Sequence, residues 1–306
     1  MYPICLMGQM ESAAPLYFPE RKWMDMEYSY SLQDVMKRLP VRSEDSHKGS
    51  CGRVFLIVGS KNMCGAAYLA GKAAYRSGVG LVYIYTEECN RLILQQLLPE
   101  AVLITYTEDN WSPAELHTWL PQMDAVAVGS GLGQSEVKRR IVMEVLQADL
   151  RRCIFDADAL NLLAQCKEPF QNRKYPIVIT PHLKEMQRLS GVSIPELKQN
   201  LTEAACRFSK EHSVITVLKD AHTRVSDGGI DCYVNQTGNH GMATGGSGDV
   251  LTGVIAGLAA QGMDLFEAAK VGVYIHGMAG DIVKEQRGAR SMMASEIADA
   301  VMFGIS

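Results

Sequence analysis

The sequence predicts an α/β domain in which a mostly parallel, mixed β-sheet carries helices on both faces. Three observations predict this fold class. From Arg53 onwards, short β-rich runs alternate with helical patterns. Several of these runs are continuously apolar, as in strands that are covered on both faces. One pair of polar-edged runs breaks the alternation and adds antiparallel pairing. We expect residues 1–30 to form an N-terminal tail or leader and residues 31–306 to form one domain.

Nine runs have the composition of strands. The apolar ones are Val54–Val58, Leu81–Tyr85, Val102–Tyr106, Ala125–Val128, Cys153–Phe155, Ile177–Thr180 and Val214–Leu218. The remaining two, Thr223–Ser226 and Asp231–Asn235, flank an Asp-Gly-Gly turn and predict a hairpin.

Helical patterns lie between the strands and after the hairpin. Those between the strands are Ala66–Ser77, Glu136–Ala148, Leu160–Gln165, Leu183–Ser190 and Leu201–His212. Three longer ones follow the hairpin, at Gly248–Gln261, Leu265–Gln286 and Ala294–Phe303. Because strands and helices alternate, we expect βαβ units.

The composition excludes several function classes. The formal net charge is −4, and no run of like charge is long enough to form a nucleic-acid arm. The eight cysteines are scattered, without a CxxC pair, so we expect reduced thiols and no zinc site. No apolar stretch approaches the roughly 20 residues of a membrane span, and the first residues lack the pattern of a secretory signal. We therefore expect a cytoplasmic protein that binds neither nucleic acid nor membrane.

The glycine-rich segment 235–253, NQTGNHGMATGGSGDVLTG, leads directly into the helix predicted from Gly248. Glycines leave backbone N–H groups uncovered at a helix start, where the positive end of the helix dipole attracts an anion such as phosphate. We predict an anion hole at Gly246, Ser247 and Gly248, with Asp249 beside it in the first turn. The alternative interpretation is a stabilising carboxylate after glycines that only form turns.

Two other glycine-rich loops and two polar clusters follow predicted strands. The loops are GSGLG at 129–133 and the segment 59–67, for which tight turns or close helix packing are the alternatives. His182 and Glu185 fall on one face of a first helical turn, where they form either a ligand site or a cap. The turn from Lys219 to Thr223 offers phosphate-binding groups at a strand end, although such turns are often only surface turns.

Taken together, these motifs resemble a known family. GGSGDVLTG resembles the GxGD signature of the ribokinase-like superfamily, in which an anion hole precedes an aspartate base. The wider set occurs in the order found in NAD(P)H-hydrate dehydratases, from about residue 30 to the end. It comprises HKGSCGRVFLIVGS (47–60), MCGAA (63–67), GSGLG (129–133), FDADALN (155–161), TPHLKE (180–185), KDAHT (219–223), the glycine-rich segment 235–253 and HGMAGD (276–281).

The resemblance implies a ribokinase-like fold without a separate lid domain and a carbon–oxygen lyase activity. ADP or ATP, with Mg²⁺, would donate its terminal phosphoryl group to the ring hydroxyl of hydrated NADH or NADPH, and loss of phosphate would restore the double bond. Asp249 would be the base that takes the hydroxyl proton. The family also implies a homo-oligomer, specifically a homotetramer, that works with an NAD(P)H-hydrate epimerase.

The matching positions imply the site residues. Those that contact the hydrated dinucleotide are Ala66, Gly131, His182 and Asp249. Those that hold the adenine nucleotide are Lys219, Asp220, Ala221, His222, Thr223 and Gly248. Glu185 is expected to organise Mg²⁺ through water.

The sequence departs from the family pattern at several loop positions. Five residues replace common prolines, namely Cys64, Ser130, Leu183, Gln236 and His240, and Asp220 stands where glycine is usual. These changes bear on loop preorganisation and nucleotide preference. Two rival functions remain open, a ribokinase-like kinase for a small molecule such as a vitamin precursor and a catalytically silent nucleotide-binding protein.

Overall fold

The computed structural model describes residues 27–148, 150–171 and 173–304, and in these ranges ten strands form one open sheet. The strands are β1 (Glu27–Tyr28), β2 (Arg53–Ile57), β3 (Leu81–Glu87), β4 (Val102–Tyr106), β5 (Ala125–Val128), β6 (Cys153–Phe155), β7 (Val178–Ile179), β8 (Ile215–Leu218), β9 (Arg224–Ser226) and β10 (Cys232–Val234). Their order across the sheet is β1-β10-β9-β8-β7-β6-β5-β2-β3-β4. Only β9 runs antiparallel to its neighbours, which confirms the predicted mixed, mostly parallel sheet.

The same ranges contain twelve α-helices. They are α1 (Leu32–Met36), α2 (Cys64–Arg76), α3 (Arg91–Leu97), α4 (Pro113–Trp119), α5 (Glu136–Gln147), α6 (Asp158–Leu163), α7 (Leu183–Ser190), α8 (Ile194–Leu197), α9 (Leu201–His212), α10 (Ser247–Ala260), α11 (Leu265–Arg287) and α12 (Ala294–Ala300). All eight predicted helices are present. The four unpredicted ones, α1, α3, α4 and α8, have seven residues or fewer, which is too short for the 3.6-residue period to emerge. No helix in the described ranges is long and apolar enough to cross a bilayer.

Helices cover both faces of the sheet, as the continuously apolar strands predicted. In β2 and the residue after it, Val54, Leu56 and Val58 pack into one buried cluster with α2, α10, α11 and α12. Phe55 and Ile57 point the other way and pack with α4 to α9. The alternation follows from the two-residue period of a strand. Two hydrophobic layers therefore hold the strand ends in fixed positions.

Close packing of α10 on α2 fixes the helix that carries Asp249. A Cβ atom on Gly253 would lie 2.2 Å from the carbonyl oxygen of Ala70, and one on Gly257 would lie 2.0 Å from Ser77 Oγ. Only glycine permits this approach of the two helices. The glycines on α10 therefore set its position against α2.

The N-terminal boundary differs from the prediction. Glu27 and Tyr28 pair in parallel with Cys232 and Tyr233 of β10, and the Tyr30 ring lies 5.0 Å from the Tyr233 ring. Residues 27–30 of the predicted tail thus belong to the folded domain, because their aromatic rings cover the edge of the sheet. Residues 1–26 of that tail lie outside the described residues.

Candidate active site

Loops at the carboxyl ends of β2, β5, β6, β7 and β8 meet the amino end of α10. This is the edge at which open parallel sheets bind ligands. Gly131, in the loop after β5, has a left-handed φ of 59°, and a Cβ atom on it would lie 2.7 Å from Ala66 Cβ on α2. Ser60 Oγ donates to the Gly131 carbonyl at 2.9 Å. The structure thus brings together two of the predicted substrate contacts.

The amino end of α10 has the geometry of an anion site. Gly246, with a left-handed φ of 91°, is the N-cap residue, and no side chain caps the helix. A Cβ atom on Gly246 would lie 2.4 Å from Leu69 Cδ1, so the turn requires glycine. The first-turn N–H groups therefore have no side-chain cap, and the Ser247 N–H donates only a long bond of 3.4 Å to the Thr244 carbonyl. The helix dipole favours a negative group at this end.

Residues of helix α11 contact the glycine-rich segment 235–253 and hold it in place. The Asp281 carboxylate accepts hydrogen bonds from the Gly238 N–H at 2.8 Å and from Asn239 Nδ2 at 2.9 Å. A Cβ atom on Gly277 would lie 2.3 Å from Thr237 Oγ1, so glycine lets the segment lie against the helix. The HGMAGD motif, for which the sequence predicted no role, therefore holds the loop that leads into α10.

His276 of the same motif lies beneath the start of α10. Its Nε2 is 3.2 Å from Ser247 Oγ. Burial lowers the pKa of His276 to about 4, so the ring is neutral at neutral pH. A neutral ring adds no charge to the anion site, and it holds the Ser247 side chain by a hydrogen bond.

The Asp249 carboxylate is more basic than an ordinary aspartate. Burial, together with the negative charges of Asp156 and Asp158, raises its pKa to about 6, against the opposing effects of Ser130 and Lys219. The positive helix end would by itself lower this pKa. Burial outweighs that effect, so the carboxylate is ionised at neutral pH yet able to take a proton.

Asp156, just after β6, is a central group of the site whose role was not predicted from the sequence. Its side chain is buried and accepts hydrogen bonds from Thr180 Oγ1 at 2.6 Å, Lys219 Nζ at 2.9 Å and Ser130 Oγ at 3.1 Å. Burial would raise its pKa, but Lys219 and the hydrogen bonds hold it below the usual value. The signal was present, since this acidic residue directly follows a fully apolar strand in FDADALN.

Lys219 links the predicted nucleotide turn to the anion hole. Its Nζ lies 3.5 Å from the point where a Cβ on Gly248 would stand and 3.9 Å from Glu185 Oε2. Although burial lowers it, Asp156 and Glu185 raise the pKa of Lys219 above its usual value, so the ammonium stays charged. A positive charge therefore stands beside the start of α10.

The rest of the predicted nucleotide turn, residues 220–223, connects β8 to β9. Asp220, Ala221 and His222 are exposed and so are open to a ligand. Thr223 Oγ1 donates to the Asp220 carbonyl at 3.4 Å, and His222 Nδ1 lies 3.2 Å from the Asn235 carbonyl. The turn thus contacts the beginning of the glycine-rich segment.

His182 and Glu185 form a capping box at the start of α7. His182 Nδ1 accepts from the N–H groups of Lys184 at 3.0 Å and Glu185 at 3.2 Å, and Glu185 Oε2 accepts from the His182 N–H at 2.8 Å. Burial and Lys219 lower the pKa of His182, which keeps the ring neutral. The capping interpretation is therefore confirmed, while the ligand role of His182 stays a prediction.

The residues present do not form a magnesium cage. Glu185 Oε2 is occupied by the capping bond, and Oε1 lies 3.3 Å from His182 Nε2. Across the described ranges, no group of three His, Cys, Asp or Glu side chains is placed to hold a metal. Mg²⁺ is commonly held through nucleotide phosphates and water. The water-mediated role of Glu185 stays a prediction.

Two cavities, of about 540 and 420 Å³, lie away from this site. Both adjoin Arg173 and Tyr175, which precede β7 at the amino-terminal edge of the sheet. Because Asp249 and the loops that surround it lie at the opposite edge, these cavities are not part of the candidate active site.

Comparison with known proteins identifies the family. Residues 54–302 match the family model for NAD(P)H-hydrate dehydratase. The chain is 36% identical over 270 residues to the ADP-dependent (S)-NAD(P)H-hydrate dehydratase of Bacillus subtilis, covering 88% of this chain and 95% of that one. It is 38% identical over 270 residues to the bifunctional NAD(P)H-hydrate repair enzyme Nnr of Moorella thermoacetica, covering 86% of this chain and 51% of that one. The chain thus spans about half the length of such bifunctional relatives.

Solved structures agree with the sequence comparison. The crystal structure of the Bacillus subtilis ADP/ATP-dependent NAD(P)H-hydrate dehydratase with ATP/Mg²⁺ superposes with a TM-score of 0.79 at 33% identity, covering 90% of this chain and 96% of that one. A ribokinase-like superfamily protein from Enterococcus faecalis gives 0.81 at 30% identity, covering 96% and 98%. The ribokinase-like fold and the family resemblance predicted from the motifs are both confirmed. This chain belongs to the NAD(P)H-hydrate dehydratase family.

Proposed function

We propose that this chain dehydrates hydrated NADH and NADPH back to NADH and NADPH, with ADP or ATP as co-substrate. The observation that carries the proposal is the position of the Asp249 carboxylate. Its pKa is raised to about 6, and it stands in the first turn of a helix whose N–H groups lack a side-chain cap. A base therefore stands next to an anion site, as phosphoryl transfer to a hydroxyl group requires.

Each group has a defined part in the reaction. Asp249 takes the proton of the ring hydroxyl as the hydroxyl oxygen bonds to the terminal phosphorus of the nucleotide and the bond to the bridging oxygen breaks. The N–H groups of Gly246, Ser247 and Gly248, together with Lys219, stabilise the negative charge of the phosphoryl group in transfer. The ring then loses phosphate and a ring proton, and the double bond returns. Hydroxide would leave far less readily than phosphate.

The two ligands are proposed to approach from opposite sides of α10. Ala66, Gly131 and His182 would contact the hydrated dinucleotide, and the turn from Lys219 to Thr223, with Gly248, would hold the adenine nucleotide. The Gly131–Ala66 contact and the proximity of Lys219 to Gly248 support this division. Mg²⁺ is proposed to accompany the nucleotide phosphates.

A repair assay tests the proposal directly. The purified chain is mixed with hydrated NADH, Mg²⁺ and either ADP or ATP, and dihydronicotinamide absorbance and free phosphate are followed. We expect absorbance to return with one phosphate released per NADH formed, and the two nucleotides to differ in rate. If absorbance does not return and another alcohol gives a stable phosphorylated product, the chain is a small-molecule kinase instead.

The assembly and location of the protein are also part of the proposal. We propose a cytoplasmic homotetramer that acts beside an NAD(P)H-hydrate epimerase. This chain matches about half of the bifunctional repair enzyme of Moorella thermoacetica. Because that enzyme has two activities, we assign its second activity to the half outside the match, and this supports a separate partner enzyme for the present chain. Light scattering on the purified protein would measure the assembly.

A further inference from the structure

A small cavity lies at the same sheet edge as the candidate active site, but at the far end of the strand order. It has a volume of about 280 Å³ and opens beside the carboxyl ends of β3 and β4, between Tyr85, Tyr106, Trp111 and Glu115. The predicted substrate and nucleotide contacts do not include any of these residues. The cavity therefore needs its own explanation.

The strand order gives the direction in which a long substrate would extend. Along the edge, the nucleotide turn follows β8, His182 follows β7, Gly131 follows β5, and then come the ends of β2, β3 and β4. The nucleotide co-substrate is proposed to bind on the β8 side. The adenosine half of the hydrated dinucleotide therefore cannot extend in that direction. The remaining direction crosses β2 and β3 to β4, three strand spacings or about 14 Å from β5. The cavity stands at the end of that path.

Direct contacts connect the GSGLG loop to the wall of the cavity. Ser135, just beyond the loop, donates from Oγ to Glu108 Oε1 at 2.7 Å, and Glu108 lies in the segment after β4 that leads to Trp111. Buried Lys138 joins the same region, with Nζ 2.7 Å from Glu87 Oε1 and 3.4 Å from Glu108 Oε1. The segment after the GSGLG loop and the segment that leads to Trp111 are thus joined by a hydrogen bond and by the ion pairs of Lys138.

The indole of Trp111 is held in place inside the cavity wall. Its Nε1 donates to Tyr85 Oη at 3.1 Å, and the Arg140 guanidinium lies 4.8 Å from the ring centroid. Tyr85 and Tyr106 stack with centroids 4.7 Å apart. A fixed aromatic wall suits a planar heterocycle, because little side-chain entropy is lost when the base stacks.

We infer that this cavity, with Trp111 as its stacking residue, binds the adenosine half of the hydrated dinucleotide while the reacting ring lies near Asp249. The inference rests on the proposed function and gives it a second substrate subsite. Adenosine offers a planar base and neutral ribose hydroxyls, which match an aromatic wall that carries carboxylates. In this way, binding remote from the chemistry would orient the ring.

The principal test compares two substrates that share the reacting ring. One is hydrated NADH and the other is hydrated reduced nicotinamide mononucleotide, which lacks the adenosine half. We expect Trp111→Ala to lower kcat/KM for the dinucleotide by roughly tenfold and to leave the mononucleotide value unchanged. The ratio of the two values is the readout, because any general loss of folded enzyme cancels.

Trp119→Ala is the matched control. That indole packs on Tyr83 at 5.6 Å and does not line the cavity, so its loss should leave the ratio at the native value. If Trp111→Ala also leaves the ratio unchanged, the adenosine half binds elsewhere and the inference is overturned. If the native chain repairs neither substrate, the proposed function itself fails, and the subsite fails with it.

Discussion

At the residue scale, Asp249 combines two requirements that oppose each other. A first-turn carboxylate at a helix start is usually stabilised as the anion and is therefore a weak base. Burial and the nearby charge of Asp156 act in the other direction and raise its pKa to about 6. The result is a group that remains ionised at neutral pH but accepts a proton close to that range. We therefore expect activity to fall as the pH drops through about 6.

Replacing Asp249 with asparagine should inactivate the enzyme and stabilise the fold. Loss of a general base costs about 10²–10⁴-fold in turnover. The pKa of Asp249 rises from 3.8 to about 6 on folding, so ionisation disfavours the folded state above pH 6 by on the order of 1–3 kcal/mol. Unfolding by urea at pH 7.5 should show the variant to be more stable than the native chain. That advantage should shrink as the pH falls from 6 to 4, and its persistence at pH 3.5 would contradict this origin.

Asp156→Asn should move the acid limb of the pH–rate profile to lower pH. Its charge raises the pKa of Asp249, and it also holds Lys219 at 2.9 Å, so its loss both removes a negative charge and frees a positive one. Breaking this buried pair should also reduce the free energy of unfolding by about 3–5 kcal/mol. The measurement is kcat/KM against pH. Asp124→Asn is the control, since Asp124 pairs with Arg53 at the other sheet edge and should leave the limb in place.

The role of Asp249 could be predicted from the sequence, whereas the role of Asp156 could not. Asp249 was predictable because the glycines that precede it and the helix that follows are local in the chain. Asp156 received no role because its three partners, Ser130, Thr180 and Lys219, are 24 to 63 residues away. The balance between helix dipole and burial at Asp249 likewise depends on packing across the chain, so the sign of its pKa shift could not be read from the motif.

At the element scale, the start of α10 depends on Gly246 more than on the neighbouring Gly245. Gly246→Ala would place a Cβ 2.4 Å from Leu69 Cδ1 at a φ of 91°, whereas Cβ on Gly245 would meet nothing within 4 Å. We expect Gly246→Ala to lower the free energy of unfolding by about 1–3 kcal/mol and to raise KM for the nucleotide. Gly245→Ala should change neither quantity appreciably. Equal behaviour of the two variants in denaturation and kinetics would contradict the assigned helix start.

Helices were predictable where the apolar pattern repeats over several turns, and they were not predictable where that pattern is short. The predicted bounds of Leu183–Ser190 and Leu201–His212 agree with α7 and α9, since both helices have clear apolar stripes and side-chain N-caps. Helix α6 begins at Asp158, two residues before its predicted start, because Ala157 takes an unusual φ of 48° just before it. A non-glycine residue in that conformation cannot be foreseen from a short apolar pattern.

At the scale of the whole molecule, the strand order assembles the site. Gly131, Asp156, His182 and Lys219 follow four neighbouring parallel strands, so they meet at one edge although they are spread over about 90 residues of chain. The βαβ pattern predicted that edge. The order of strands and the extra edge strand β1 were not predictable, because pairing of β1 with β10 joins residues that are about 200 positions apart.

Strand β1, the strand nearest the N-terminus, forms one edge of the sheet and is stabilised by aromatic packing. The Tyr28 ring lies 5.8 Å from the Tyr233 ring, Tyr30 Oη donates to Glu267 at 2.9 Å, and Lys270 Nζ donates to Tyr28 Oη at 3.1 Å. Deleting residues 1–30 removes this packing and leaves buried Lys270 with fewer partners. Relative to a chain that lacks only residues 1–26, we expect a loss on the order of 3 kcal/mol in the free energy of unfolding.

Urea denaturation of the two truncated chains measures that difference, and it should persist at high salt because most of it comes from aromatic burial. Since β1 pairs with the hairpin strand β10 rather than with the strands that carry Asp156 or Gly131, the shorter chain should keep its kcat at temperatures at which it remains folded. Equal stability of the two truncated chains would show that the domain begins after residue 30, where the sequence alone had placed it.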